Sequence, residues 1–466
     1  MKRRTVFGLG FGLVVGMLAA ALVLCVGRVD NRPYFRENYY TETKVLLHAL
    51  AATNTLAEGE LAAGFGRVIL TPLLNAKSEH AAQGHFYSLP LAGYGGRRGR
   101  PAQGVHDDLE VKAVALRVLD RLIVFAGADA LIIPREVADL VSQSLEGNPG
   151  LRREQIFLGA THTHSGMGGW GEGLVAEQFA GGFNPGVQTW FADRITAAIR
   201  LAVEDLKPAS IGFSFFRAPE FVRNRLVGEL GKVDPEFSFT VVKQAEGIVA
   251  VIGSYSAHAT VLSDDFMEFS GDYPGFWQRA VEEATGGMAM FLAGAVGSHS
   301  PQPPARGIVG AQAMGHALAQ SLLGHLPQVG LTNRVILGAL GLPVQLPPLN
   351  VRVSDGLRLR PWLAKLVLPV HADAYLQAFR VGNATWISTP CDFSGELALV
   401  LKEAMQARGR SAVVTSFNGD YIGYVIPDRY YHLNGYESRI MSFFGPNTTD
   451  YLEELIRAIT LDLAGI

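Results

Sequence analysis

Histidines placed at the ends of apolar runs carry the chemistry this chain offers. The first place is Thr161-His162-Thr163-His164-Ser165-Gly166-Met167-Gly168-Gly169, which follows the apolar Ile156-Phe157-Leu158-Gly159-Ala160. Histidines two apart on an extended chain point to one face, so both could converge on a metal, or on a metal and its substrate. The plain alternative is a pair of surface histidines at a strand end. Flanking Thr and Ser and three nearby glycines argue against it. His-x-His is shared by several metallohydrolase classes, and the Asp-His that a metallo-β-lactamase needs after it is missing here.

Three further places hold reactive side chains. Ile252–Thr260 is a second strand-like run ending in a histidine, His258, with Asp264, Asp265, Glu268 and Asp272 downstream. Alone, such a histidine reads as a hydrogen-bonded core residue. Phe291-Leu292-Ala293 gives way to Gly297-Ser298-His299-Ser300-Pro301-Gln302, a small-residue turn that is not a Gly-x-Ser-x-Gly nucleophile elbow. Near the C-terminus, Pro390-Cys391-Asp392 precedes a crowd of tyrosines at 421, 424, 430, 431 and 436, whose ordinary reading is packing.

The elements that must position these residues alternate. β-Branched apolar runs bounded by turn residues predict strands at Leu122–Ala126, Gln155–Ala160, Ala209–Phe215, Phe239–Val242, Ile248–Ser254, Met288–Leu292, Asn333–Leu340, Ala378–Ser388 and Ala412–Phe417. Helical periodicity predicts helices at Glu136–Leu145, Val187–Leu206, Tyr273–Thr285, Ala311–Gly324, Gly395–Arg408 and Thr449–Ile459. The fold class expected is α/β: a layered mixed β-sheet with flanking helices, forming one large domain over residues 60–466. Leu340–Pro369 reads as a packed irregular insert, with a membrane-facing flap as the other reading.

Ahead of that domain, Val6–Val26 is 21 residues without a charge, preceded by Lys2, Arg3 and Arg4. A run of ~20 apolar residues spans a bilayer as a helix, and the basic flank keeps the N-terminus cytoplasmic. Residues 1–27 are therefore expected to be a signal anchor and 28–59 a juxtamembrane stalk. The body is then expected outside the cytoplasm, on the periplasmic or extracellular face. The rival is a cleaved signal peptide, which would release the body. Against it, the run ends Leu22-Val23-Leu24-Cys25-Val26, with bulky residues where a cleavage site needs small ones. Hydrophobic residues make up 48% and charged residues 18%, and 40 basic residues nearly balance 43 acidic ones, so a nucleic-acid partner is not expected. Two cysteines rule out a disulfide framework or a Cys-rich zinc site.

Together the four places resemble the catalytic domain of the neutral/alkaline (non-lysosomal) ceramidase family. The signature Thr-His-Thr-His-Ser-Gly-x-Gly-Gly is matched by Thr161–Gly169. Gly93-Tyr94-Gly95, Gly104-Val105-His106-Asp107 and Asn224-Arg225 resemble earlier family segments. Gly297–Gln302 resembles its Gly-Asp-Val-Ser-Pro-Asn turn, and Tyr424 and Tyr436, twelve apart, match its paired tyrosines. The resemblance implies a hydrolase acting on linear amide C–N bonds, cleaving an N-acylated lipid, ceramide first, with one Zn²⁺ per chain. It implies His162, His258, Asp392 and Tyr424 as metal ligands, His164, Arg225 and Tyr436 as oxyanion stabilisers, and Ser300 as nucleophile or as a residue that positions water. The chain departs from the family in carrying Asp392 where a Glu is usual, so its backbone must approach the metal more closely. With 30 residues after Tyr436, the family's C-terminal immunoglobulin-like domain is not expected in this sequence. An amidase or esterase on another acyl conjugate, and a non-catalytic binding protein on the same scaffold, are the alternative functions.

Overall fold

The computed structural model describes residues 24–147, 151–368 and 370–464. The segment 6–26 expected to span a membrane lies, up to residue 23, outside the described residues. Among the described residues no helix is long and apolar enough to cross a membrane.

A twelve-stranded mixed sheet organises the body. Its main path runs through Met288–Ala293, Val249–Tyr255, Glu236–Gln244, Lys207–Arg217, Ala57–Ile69, Arg334–Gln345, Asp373–Val381, Ala384–Ser388 and Ser411–Thr415. Ala57–Ile69 also pairs, through Leu61–Ile69, with Glu110–Val118, which leads on to Arg121–Ala128 and Ile156–Ala160. The long strand 57–69 was not legible as a strand, because Gly64, Gly66, three alanines and two glutamates dilute its apolar pattern. Those glycines let helix 185–204 sit directly on the strand: a Cβ on Gly66 would lie 2.1 Å from the Ala198 carbonyl oxygen. The run expected as one strand at 378–388 is a hairpin, broken at Gly382 where φ is +60°.

The sheet curls so that its parts face one another across an apolar core. Phe125 packs edge-on to Phe379 and Trp386, with ring centroids 5.2 and 5.4 Å apart. Gly127 and Gly159 leave room for Met290 and Leu292 of strand 288–293. Burying such aromatic and aliphatic surface is the main favourable term holding the layers together, at ~25 cal/mol per Å².

Within this sheet three strand pairs are parallel: 121–128 with 156–160, 249–255 with 288–293, and 384–388 with 411–415. Parallel neighbours need a crossover, and each pair has a helix between its strands, at 135–146, 272–285 and 395–406. Ligand sites in such sheets form beyond the carboxyl ends of the strands. His162, His164, His258 and Asp392 each follow such an end within four residues.

Part of the segment read as a stalk belongs to this body. Asn38–Thr53 is a helix with Thr43 and Leu47 buried, and Thr43 Oγ1 accepts from Gln345 N at 3.0 Å. Up to residue 368 the insert is packed, as expected, with Leu346, Leu349, Ala364 and Leu368 buried in the core beside the C-terminal helix, but it is not irregular throughout: it holds the end of strand 334–345, strand 357–359 and helix 361–367.

Candidate active site

At the end of strand 156–160 the chain does not stay extended. His162 takes a left-handed backbone, φ +60°, a conformation costing ~1–3 kcal/mol for a side-chain-bearing residue. The two histidines therefore meet not by strand alternation, as the spacing suggested, but because this kink turns one ring toward the other. Their Nε2 atoms are 3.3 Å apart and the rings are perpendicular. The kink is held by its surroundings. His162 stacks on Phe417 at 4.0 Å, its Nδ1 donates to the Leu131 carbonyl at 2.7 Å, and Thr163 Oγ1 donates to the Ser270 carbonyl at 2.7 Å.

His164 rests on Tyr94, ring centroids 4.7 Å apart. Gly93, at φ +109°, is required there: a Cβ would fall 2.6 Å from the imidazole Cγ. The buried guanidinium of Arg97 donates to the carbonyls of Ala92, His164 and Phe266, which ties this loop together.

His258 Nδ1 donates to the carbonyls of Val296 and His299, at 2.9 and 3.1 Å. Carbonyls only accept, so Nδ1 carries the proton in both His162 and His258, and Nε2 presents a lone pair. These lone pairs face Asp392 Oδ1, at 3.8 and 3.3 Å, and that oxygen is buried without a hydrogen-bond partner. Asp392 Oδ2 accepts from Tyr421 Oη at 2.7 Å. Tyr424 Oη lies 3.4 Å from His258 Nε2 and accepts from Arg225 Nη2 at 2.8 Å. Arg225 Nε is 2.8 Å from Glu437, and Tyr436 packs edge-on to Tyr424.

The electrostatics follow from burial. His162 is pushed down to about 3, chiefly by desolvation and then by His258; His164 and His258 are driven well below the usual imidazole value for the same first reason. Burial raises the Asp392 carboxyl, opposed by His162, the Tyr421 hydroxyl and Arg225. Burial also works against the Arg225 charge, but Tyr424, Glu437 and Asp392 outweigh it and hold the guanidinium protonated. The result is a set of neutral imidazoles and a partnerless carboxylate oxygen aimed at one point. A cation reconciles them. Separations of 3.3–3.8 Å suit donors around a tetrahedral ion with ~2.0–2.1 Å bonds, and imidazole with oxygen is a donor set zinc accepts. His162, His164 and His258 together could hold a metal ion.

Asp392 reaches this point because backbone does what a longer side chain would otherwise do. Gly297 N donates to the Phe393 carbonyl at 2.8 Å, and a Cβ on Gly297 would lie 2.2 Å from the Asp392 carbonyl oxygen. Asp392–Phe393 then pairs in parallel with Tyr424–Val425, bringing carboxylate and phenol side by side.

Above the cluster opens a cavity of about 1070 Å³, counting its mouth. His162, His164, Asp392 and Tyr424 form part of its wall, with apolar Leu131, Ile132, Val175, Phe179, Met441 and Phe443. Arg225 and His258 stand behind that wall. Ser300 does not line the cavity either. It is half-buried on the short strand His299–Pro301, paired with Val222–Asn224, one residue from the carbonyl that orients His258. Seven of the eight residues singled out from sequence thus form one connected cluster, with Ser300 beside it. Sequence reasoning missed Tyr421 and Phe417 as parts of the site. Nothing in their spacing marks them, since Tyr421 is 29 residues from the carboxylate it touches.

Buried imidazoles and a carboxylate at the carboxyl ends of three parallel strand pairs, under an apolar cavity, define a mixed α/β protein with a candidate metal centre. Residues 79–303 match the family model of neutral/alkaline non-lysosomal ceramidase, N-terminal. The neutral ceramidase of Mycobacterium tuberculosis is 29% identical over 176 residues, covering 34% of this chain and 26% of that protein. The neutral ceramidase of Pseudomonas aeruginosa is 27% identical over 198 residues, covering 39% and 30%. The crystal structure of the P. aeruginosa neutral ceramidase superimposes with a TM-score of 0.72 at 20% identity, over 86% of this chain and 74% of that one. A ceramidase complexed with C2 gives 0.71 over 86% and 75%. The resemblance carried by the motifs is borne out, and the fold is that of these structures. In sequence, the matched stretches span about a quarter to a third of the curated relatives. Asp392, Tyr424 and Tyr436 lie beyond the stretch that the family model matches.

Proposed function

We propose that this chain hydrolyses the amide bond of an N-acylated lipid, ceramide being the first candidate, with Zn²⁺ held by His162, His258, Asp392 and Tyr424. The observation that carries the reading is the partnerless Asp392 oxygen facing two proton-free imidazole nitrogens at the wall of an apolar cavity. Zinc, when bound, supplies a Lewis acid for the amide carbonyl.

The chain's own residues do the rest. The apolar wall takes up the acyl chain and excludes water, which strengthens every polar contact inside. Arg225, kept charged by Glu437, supports the Tyr424 oxygen from behind, while Tyr436 and neutral His164 offer donors to the oxygen that gains charge. Ser300, half-buried beside the cluster, is proposed as the nucleophile or as a residue that positions water. As nucleophile its oxygen takes the acyl group as the amide C–N bond breaks, its proton leaves with the amine, and water then frees the fatty acid. The cavity's polar rim, with Arg135, Glu136 and His371, favours a second reading in which the amine half is a different polar conjugate.

The localisation proposed is a body outside the cytoplasm, tethered by residues 6–26, with 60–466 as the catalytic domain and 1–27 and 28–59 preceding it. Metal analysis of the purified chain, followed by turnover on N-acyl lipids and on water-soluble acyl amides, tests the function. About one zinc per chain with hydrolysis of the lipid amide is expected. Full zinc occupancy in both His162→Ala and His258→Ala would sink the ligand assignment.

A further inference from the structure

Where the apolar run 6–26 ends, the chain is stapled to the rim of the cavity. Val26–Arg28 pairs antiparallel with Leu357–Leu359, Val26 opposite Leu359 and Arg28 opposite Leu357. Arg360 N donates to the Cys25 carbonyl at 2.8 Å, Trp362 Nε1 to the Leu24 carbonyl at 3.3 Å, and Val29 N to the Gly356 carbonyl at 3.0 Å. The strand continues into the helix Pro361–Val367, and the next residue, Leu368, lines the cavity.

Away from the polar part of the rim with Arg135, Glu136 and His371, the outer side of the mouth is apolar. Three wall segments each place one residue on the cavity and its chain neighbour in the open: Val175 beside Leu174, Leu368 beside Val367, and Met441 beside Ile440. Leu174 is 74% exposed, Ile440 63%, Leu366 70% and Trp362 54%. Lys365 is exposed on the same helix. Single exposed apolar residues are ordinary, but several ringing one cavity mouth mark an interaction surface. Trp beside Leu and Lys is the composition of the membrane–water interface.

We propose that the strand pair 26–28/357–359 fixes the body on a lipid bilayer with the cavity mouth toward it, and that Trp362, Leu366, Val367, Leu174 and Ile440 enter the interfacial layer. The occupant is a bilayer because the residues stapled to this rim are the end of a 21-residue uncharged run, long enough to span one. An N-acyl lipid would then pass from the membrane into the cavity without crossing water. The proposal rests on the reading of 6–26 as a membrane segment and of the substrate as a lipid.

The test uses the full chain with Cys25→Ser, reconstituted in phosphatidylcholine vesicles. A fluorescent label at Leu366→Cys is compared with one at Leu119→Cys, which is 71% exposed on the turn between strands 110–118 and 121–128. Quenching by a lipid-borne quencher should be several-fold greater at 366. Leu366→Asp should lower turnover of an N-acyl lipid held in vesicles about tenfold or more and leave a short-chain, water-soluble N-acyl amide unaffected. Equal quenching at 366 and 119, failure of the chain to stay with the vesicles, or equal loss on both substrates would overturn the docking. Strong quenching at 366 in a chain that hydrolyses no N-acyl amide would support the docking and reject the substrate reading instead.

Discussion

Gly297→Ala tests how an aspartate can serve the candidate metal point. The added Cβ would lie 2.2 Å from the Asp392 carbonyl oxygen, 2.7 Å from its carbonyl carbon and 2.9 Å from that of Phe393. These are backbone atoms, so no side-chain rotation relieves the contact. The two segments would have to part by about 1 Å to approach the ~3.5 Å of ordinary van der Waals contact. That movement stretches the 2.8 Å bond from Gly297 N to Phe393 O and carries Asp392 Oδ1 away from His258 Nε2, now 3.3 Å distant. Metal–ligand distances tolerate only ~0.2 Å, so the carboxylate is lost as a good ligand. The expected outcome is a roughly 10–100-fold fall in zinc affinity, together with an overpacking cost of ~1–3 kcal/mol. Competition with a chelator measures the first, and denaturant unfolding the second. Gly324→Ala is the control: it lies in helix 307–325 with nothing within 4 Å of its Cβ, and should stabilise by up to ~1 kcal/mol without touching the metal. Zinc affinity within twofold of the parent in Gly297→Ala would refute the argument.

Tyr421→Phe removes the 2.7 Å hydrogen bond to Asp392 Oδ2 and should weaken zinc roughly 10–100-fold in the same competition assay, while unchanged affinity would show that the hydroxyl does not hold the carboxylate. Ser300→Ala should keep zinc and fold but lose more than the ~10²-fold typical of one stabilising contact, measured as turnover per bound zinc. Near-parental turnover would remove Ser300 from the reaction. Asp272 is pushed up to about 7, mainly by burial, so the folded state holds its proton between about pH 4 and 7 where the unfolded chain has released it. Stability therefore falls as pH rises through that window and levels off above it, by roughly 4 kcal/mol at most. Urea unfolding at pH 4.5 and 8 should show a smaller difference for Asp272→Asn than for the parent, and an equal difference would reject the assignment.

The order of helices and strands was legible because apolar periodicity is local. The helices expected at 136–145, 187–206, 273–285, 311–324, 395–408 and 449–459 are all present within a few residues. Strands 57–69 and 110–118 were not read. In the first, small residues serve a packed helix rather than an apolar face. In the second, residues 111–116 are all buried and so show no alternation.

The donor types could be read along the chain, and so could the attachment of His162, His164 and His258 to strand ends. Both are legible because strand and turn signals, and the motifs built on them, are written in consecutive residues. That these ends meet follows from the folded arrangement alone. Three separate parallel pairs must lie in one curled sheet before His162 Nε2, His258 Nε2 and Asp392 Oδ1 share a point. So do the left-handed turn at His162, the glycine contact that lets an aspartate reach, and the Tyr421 hydroxyl behind it. Each depends on which distant backbone or ring occupies the neighbouring space, and spacing along the chain carries no record of that.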